Sequence, residues 1–160
     1  MKPHMVHRES ETVIGMADGF REGEHDAIGK LWHDFMPRSG EVQNAKPGYR
    51  VGVCFDKHPE VNLDPGETFV YMAAAPVTSL GAVPQGMVAF SVPAQKYAVF
   101  THKGALDSVE ETVKHIWGTW APSNPGVAKK DAPLIEIYDE RFKLNSSDSE
   151  FDILVPVVED

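Results

Sequence analysis

The stretch Glu24–Phe35 (EHDAIGKLWHDF) decides how the rest of this 160-residue sequence is interpreted. Its large apolar residues follow one another at steps of three, one and three positions: Ile28, Leu31, Trp32 and Phe35. This spacing puts them on one side of a helix, so the stretch is predicted to be an amphipathic α-helix. Pro37 and Gly40 come next and are predicted to end it.

A second helix with the same spacing is predicted about 85 residues further along the chain. Its apolar residues are Val113, Ile116, Trp117 and Trp120. Each helix follows one strand-like run and precedes two more. These runs are Thr12–Phe20, Tyr49–Phe55 and Thr68–Ala75, then Lys96–His102, Leu134–Tyr138 and Phe151–Val158. The pattern therefore predicts strand-helix-strand-strand twice, as pseudo-repeats of about 5–80 and 86–158 within one domain, 1–160.

The repeat also predicts how the two halves assemble. One helix over a small sheet buries little surface, so the halves are expected to pair about a pseudo-twofold axis. The predicted fold class is α+β, with a curved antiparallel sheet, two main helices and a central cleft. Clefts between units are preferred positions for small-molecule sites.

Composition excludes several classes of function. The chain has 24 acidic and 15 basic residues and a net charge of −9. Direct binding to nucleic acid is not expected, because it needs clustered basic residues. A single cysteine, Cys54, excludes an internal disulfide and a cysteine-built zinc site. No run approaches the roughly 20 apolar residues of a membrane span, so no membrane association is expected, and the cytoplasm is the expected compartment.

Glu136 is the strongest candidate functional residue. It is the only charge within the apolar run Leu134–Tyr138 (LIEIY), and alternation puts it on the same face as Leu134 and Tyr138. Alternation alone favours an exposed carboxylate on a solvated face. The alternative is a partly buried carboxylate, which requires a cation or a proton because desolvation of a lone charge is costly.

Aromatic residues could form a cage around an organic cation beside such a carboxylate. The candidates from the whole sequence are Trp32, Tyr49, Tyr71, Trp117, Trp120 and Tyr138. Trp32 is interpreted as a core residue, because most tryptophans on a helical stripe are buried. No cofactor or metal is predicted, since the histidines lack ligand spacing and there is no phosphate-binding glycine loop or G-x-S-x-G motif.

Four motifs in order resemble the gyrase-inhibitor-like family, which is also the effector-binding domain of AraC-type and MerR-type multidrug-responsive regulators. They are Lys96–Leu106 (KYAVFTHKGAL), Ile116–Pro122 (IWGTWAP), Glu136–Phe142 (EIYDERF) and Phe151–Pro156 (FDILVP). The resemblance covers most of residues 5–158. The chain is also similar to free-standing, drug-binding members of the kind carried on integron gene cassettes.

This resemblance implies a binding site for cationic, lipophilic, drug-like molecules. Glu136 matches the glutamate at the floor of the family's pocket. The aromatic walls would come from Trp117 or Trp120, from Tyr71 and from Tyr138. The sequence has no room for a helix-turn-helix, so the protein is expected to sense or buffer a ligand alone, or to act on a partner protein.

Two alternatives remain open at this point. Some free-standing relatives are similar in fold but are hydrolases, which would make Glu136 a general base toward water. No second titratable residue is evident beside Glu136 from the sequence, and no other catalytic residue is predicted. The other alternative is an inhibitor whose acidic surface docks on DNA gyrase. The possible partner protein is therefore either a separate DNA-binding chain, which would respond to the ligand, or gyrase.

Overall fold

A curled antiparallel sheet with helices on one face forms the architecture of this computed structural model, which describes residues 2–127 and 132–158. Eight strands lie within the described residues. They are β1 (His4–Arg8), β2 (Glu11–Phe20), β3 (Arg50–Phe55), β4 (Phe69–Val77), β5 (Val88–Val92), β6 (Gln95–Lys103), β7 (Leu134–Tyr138) and β8 (Glu150–Pro156). The predicted α+β class and the repeated strand-helix-strand-strand order are confirmed.

The first helix, α1 (His25–Phe35), runs into a 3₁₀ turn over Met36–Glu41 that contains Pro37. The second helical segment begins with a 3₁₀ turn at Leu106–Ser108 and continues as α2 (Val109–His115). It then passes through a π-helical turn over Ile116–Trp120 and ends with α3 (Ala121–Ser123). None of the helices in the described residues has the length and apolar character needed to cross a membrane.

The order of the strands shows the relation between the two halves. Across the sheet they run β1-β6-β8-β7-β3-β4-β2-β5. Strands β7 and β3 are the central pair. Moving outward from them, β8, β6 and β1 follow on one side, and their equivalents β4, β2 and β5 follow on the other. At the centre, Glu136 of β7 lies opposite Gly52 of β3. The axis that relates the halves therefore passes beside Glu136.

The helices cover the outer parts of one face of the sheet. Helix α1 packs on β2 and β4, where Leu31 and Phe35 join the core of the first half. Ile116 and Trp120 join the core of the second half, which includes Phe100 of β6 and residues of β8. The central strands β3 and β7 consequently lie between the two helical segments, and their helix-side surface forms the floor of a groove.

The opposite face of the sheet curls around a separate apolar core. Ile135 and Ile137 of β7 are buried there with Val51 and Val53 of β3. Glu136, between the two isoleucines, therefore points to the helix side. The alternation predicted for this strand is confirmed, because one of its faces is core and the other borders the groove.

Candidate functional site

Glu136 lies half-buried at the floor of the groove, directly across from Gly52. A Cβ atom at position 52 would lie 2.5 Å from Glu136 Oε1 and would also overlap the hydroxyl of Tyr71. The glycine is therefore required by space rather than by backbone conformation, since it leaves the volume that the carboxylate and the hydroxyl occupy. No local sequence pattern distinguishes Gly52 from other strand glycines.

Two tyrosine hydroxyls hold the carboxylate. Tyr71 Oη donates a hydrogen bond to Glu136 Oε1 at 2.5 Å, and Tyr138 Oη donates to the same oxygen at 3.1 Å. Among the described residues, no side chain or backbone group donates to the second oxygen, Oε2, and no basic side chain forms an ion pair with Glu136. One carboxylate oxygen is thus occupied by neutral donors, and the other is available.

Burial sets the protonation of this cluster. It raises the pKa of Glu136, and the hydrogen bonds from Tyr71 and Tyr138 oppose that rise. Burial also raises the pKa of both tyrosines well above 10, and the nearby Glu136 raises them further. The tyrosines therefore remain protonated donors at neutral pH. The site as a whole can accept a cation or a proton at the free oxygen.

Trp32 packs partly buried against the core, as its helical stripe predicted, and it also belongs to this cluster. Its indole Nε1–H donates to Tyr71 Oη at 2.9 Å, and its ring meets the ring of Tyr138 edge-on at 5.3 Å. The side chain is partly buried and packs at the margin of the core around Phe35. The helical stripe predicts which side of α1 faces the sheet, but not that this indole reaches across to the groove.

Tyr138 is fixed by further aromatic contacts. Its ring stacks on Phe151 at 4.7 Å and meets Phe142 edge-on at 5.0 Å. Cys54 lies two residues from Gly52 on the same face of β3 and is partly buried. Burial and the nearby Glu136 raise the pKa of its thiol to about 12, so it remains a neutral group beside the carboxylate.

The two tryptophans of the second helical segment have different environments. Trp120 is 8% exposed and packs edge-on against Phe100 at 5.1 Å, within the core of the second half. Trp117 is 48% exposed, and Val113, another residue of the predicted stripe, is 39% exposed. Ile116 and Trp120 of the predicted stripe are buried, and the third buried residue of the segment is Thr112. The π turn over Ile116–Trp120 departs from the regular helical period on which the predicted stripe was based.

The first turns of the two helical segments approach each other above the sheet. His25 Nε2 of α1 lies 3.6 Å from Glu110 Oε1 of α2. Both side chains are exposed, so this is a surface contact between the two helical segments. Among the residues that the structure describes, no group of three or more histidine, cysteine, aspartate or glutamate side chains has the geometry to hold a metal ion.

The fold and the site now allow comparison with known proteins. The family of integron-associated effector-binding proteins, represented by Cass2, matches residues 4–157 of the chain. The chain belongs to this family. The resemblance of the sequence to effector-binding domains is therefore confirmed.

A curated relative supports the same family. The chain is 35% identical over 159 residues to the transcriptional regulator BrlR of Pseudomonas aeruginosa. That match covers 98% of the chain but 56% of the regulator, so the chain spans little more than half the length of this relative.

Solved structures of family-like proteins share the fold. One is SAV2435 bound to tetraphenylphosphonium, with a TM-score of 0.78, 18% identity, and coverage of 99% of this chain and 94% of that chain. Another is the integron cassette protein VCH_CASS2 of Vibrio cholerae, with a TM-score of 0.68, 16% identity, and coverage of 99% and 97%.

Proposed function

We propose that this effector-binding protein takes hydrophobic organic cations into the groove between its helical segments, with Glu136 as the counter-charge. The observation that carries the proposal is the state of the carboxylate. It is desolvated, tyrosines hold one of its oxygens, and none of the described residues supplies a balancing cation. A buried charge in this state is stabilised by a positive ligand.

The surroundings of Glu136 suit an aromatic or lipophilic cation. Tyr71, Tyr138 and Trp32 place aromatic rings around the carboxylate, and the faces of such rings attract cations. The tetraphenylphosphonium bound by SAV2435 is a ligand of this chemical class, and that protein shares the fold. A cation in the groove would therefore be stabilised both by the charge of Glu136 and by contact with the aromatic rings.

Trp117 is proposed as a wall of the groove on the side of the second helical segment. It matches Trp32 in the two predicted helical stripes, and its ring is largely exposed. Trp120 contributes less directly, since it supports the segment from the core. The groove would then have an indole on each side and the carboxylate between them.

Trp117→Ala is expected to lower affinity for tetraphenylphosphonium by roughly three- to tenfold, because a cation–ring contact is lost. The free energy of unfolding should change by no more than about 0.5 kcal/mol, since the side chain is exposed. Isothermal titration calorimetry and thermal melts measure the two effects. Leu144→Ala, which removes another exposed apolar side chain, serves as the matched control. Unchanged affinity in Trp117→Ala would remove this residue from the groove wall.

The cellular role that follows is sensing or buffering of such cations. BrlR is a transcriptional regulator and is longer than this chain. We therefore propose that a partner protein, in the first instance a DNA-binding chain, responds to ligand occupancy. A net charge of −9 argues against direct contact with nucleic acid. A supercoiling assay distinguishes the gyrase alternative, since an inhibitor would reduce gyrase activity.

The experiment that tests the proposed function is a thermal-shift comparison of three compounds. Tetraphenylphosphonium, tetraphenylborate and triphenylphosphine oxide are bulky aryl compounds carrying positive, negative and no charge. All three compounds are added at one concentration, 100 times the dissociation constant of tetraphenylphosphonium. A ligand at this multiple of its dissociation constant stabilises the native state by about 2.7 kcal/mol, which raises Tm by roughly 5–10 °C for a chain of this size. We expect this shift for the cation alone. Equal shifts for the cation and the borate would refute the counter-charge.

One arrangement in the site also supports the hydrolase alternative. The sequence shows no second titratable group beside Glu136, but the structure places the Tyr71 and Tyr138 hydroxyls there. A carboxylate beside hydroxyl donors can act as a general base toward water. Incubation with reactive electrophiles such as epoxides tests this role, since enzymatic turnover should be lost in Glu136→Gln.

A further inference from the structure

Trp32 contacts both residues that hold the carboxylate. Its Nε1–H donates to Tyr71 Oη at 2.9 Å, and its ring lies against the ring of Tyr138 at 5.3 Å with an interplanar angle of 69°. Within the described residues, the indole makes no hydrogen bond to Glu136 itself. The hydrogen bonds that connect Trp32 to the carboxylate therefore run through Tyr71.

The hydrogen-bonding capacities of these groups fix the direction of the chain of bonds. An indole nitrogen can only donate, whereas a phenol hydroxyl has one proton and can also accept. Tyr71 therefore accepts from Trp32 and must direct its own proton to Glu136 Oε1, at 2.5 Å. Consecutive bonds polarise one another, so donation by the indole strengthens donation by the phenol. The bond to the carboxylate is strongest when Glu136 is ionised.

The other groups described near Glu136 carry no charge that pairs with it, so its protonation state depends on burial and on these hydrogen bonds. Strand β3 contributes the neutral Cys54 thiol, β7 contributes the Tyr138 hydroxyl, and α1 contributes the uncharged indole of Trp32. Arg50, beside the site on β3, donates to the backbone carbonyl oxygens of Lys46 and Tyr49. Burial favours the protonated carboxyl, and neutral hydrogen bonds oppose it.

We propose that Trp32 is a positioning residue, which orients the Tyr71 hydroxyl and thereby keeps Glu136 ionised and ready for a cation. This inference rests on the proposed function of Glu136 as counter-charge. It makes α1 part of the binding site, although no group of α1 forms a hydrogen bond or an ion pair with the carboxylate. The protonation state of Glu136 is thus coupled to the packing of α1 on β2 and β4.

Trp32→Phe tests the proposal, because it removes the N–H and retains an aromatic ring against Tyr138. Without the indole donor, Tyr71 donates more weakly, the ionised carboxylate is less stable, and the pKa of Glu136 rises. The affinity for a permanent cation increases as pH rises through that pKa, so the midpoint of this increase should move to higher pH. Below the midpoint, the affinity for tetraphenylphosphonium should fall about two- to tenfold.

Two measurements separate this proposal from the proposed function. A ¹³C NMR titration of the Glu136 carboxyl group in the ligand-free protein reports its pKa without any ligand. Calorimetric titration with tetraphenylphosphonium from pH 5 to 9 reports the affinity profile. If wild type binds no cation, the proposed function fails, while the NMR titration still decides the role of Trp32. If wild type binds but Trp32→Phe leaves the Glu136 titration unchanged, the positioning role is refuted.

A double-mutant cycle tests whether the effect passes through Tyr71. In a Tyr71→Phe background the relay is already broken, so Trp32→Phe should cause no further rise in the titration midpoint. A full additional rise would overturn the relay. Trp120→Phe makes the same indole-to-phenyl change in the core of the second half and should leave the Glu136 titration where it is. If Trp32→Phe does not fold, Tyr71→Phe alone must still raise the midpoint.

Discussion

Glu136→Gln is expected to lower the affinity for tetraphenylphosphonium by about 30-fold or more, which corresponds to roughly 2 kcal/mol. The substitution keeps the size of the side chain and removes its charge, so the ligand cation loses its partner in a desolvated site. Binding of the neutral triphenylphosphine oxide should change much less. Calorimetric titration of both compounds at neutral pH measures the difference.

The control for this prediction is an equal change in net charge at an exposed ion pair that takes no part in the hydrogen bonds of Glu136. Glu41→Gln removes an exposed carboxylate paired with Arg38 after α1. Solvent and salt screen an exposed charge, so its effect on ligand affinity should be negligible. If Glu136→Gln and Glu41→Gln weaken binding equally, general attraction to an acidic protein explains the binding, and Glu136 has no special role.

Gly52→Ala is expected to disrupt the site although it adds a single methyl group. The new Cβ would lie 2.5 Å from Glu136 Oε1 and would overlap the Tyr71 hydroxyl, so both groups must move. Such overpacking destabilises proteins by about 1–3 kcal/mol. Because the bond between Tyr71 and Glu136 is displaced, the affinity for tetraphenylphosphonium should also fall roughly tenfold or more.

Gly29→Ala provides the matched comparison. Gly29 lies on the exposed side of α1, and a Cβ there would have no neighbour within 4 Å. Alanine favours helix over glycine by about 1 kcal/mol, so this variant should be as stable as wild type or more stable, with unchanged affinity. Denaturant unfolding and calorimetry measure both properties. If Gly52→Ala behaves like Gly29→Ala, the packing described around Glu136 is incorrect.

Local patterns were sufficient to predict much of the fold. The helix-length stripe ending at Phe35 and the alternation in Leu134–Tyr138 depend on neighbours a few residues apart, and both were confirmed. The stripe of the second helix was partly wrong, because Val113 and Trp117 are exposed. A π turn changes the periodicity, and an average helical period cannot anticipate it.

The partners of Glu136 could not be predicted in the same way. Tyr71 is separated from it by 65 residues, and no local pattern signals their hydrogen bond. The resemblance to effector-binding domains named Tyr71 and Tyr138 as walls of a pocket, and the structure places both hydroxyls on the carboxylate. Gly52 and Trp32 gave no separate signal, because a glycine in a strand and a tryptophan in a helical stripe have many ordinary explanations.

The sequence by itself determined the elements, their repetition and the single charged residue in the seventh strand, because periodicity and charge are properties of neighbouring residues. Only the tertiary structure decided that this residue lies at the centre of the sheet, opposite a glycine and beneath an indole from α1. The physical reason is that packing over the whole chain fixes the register between distant strands and the position of a helix on the sheet. Those contacts decide which groups surround a buried carboxylate, and therefore what it can bind.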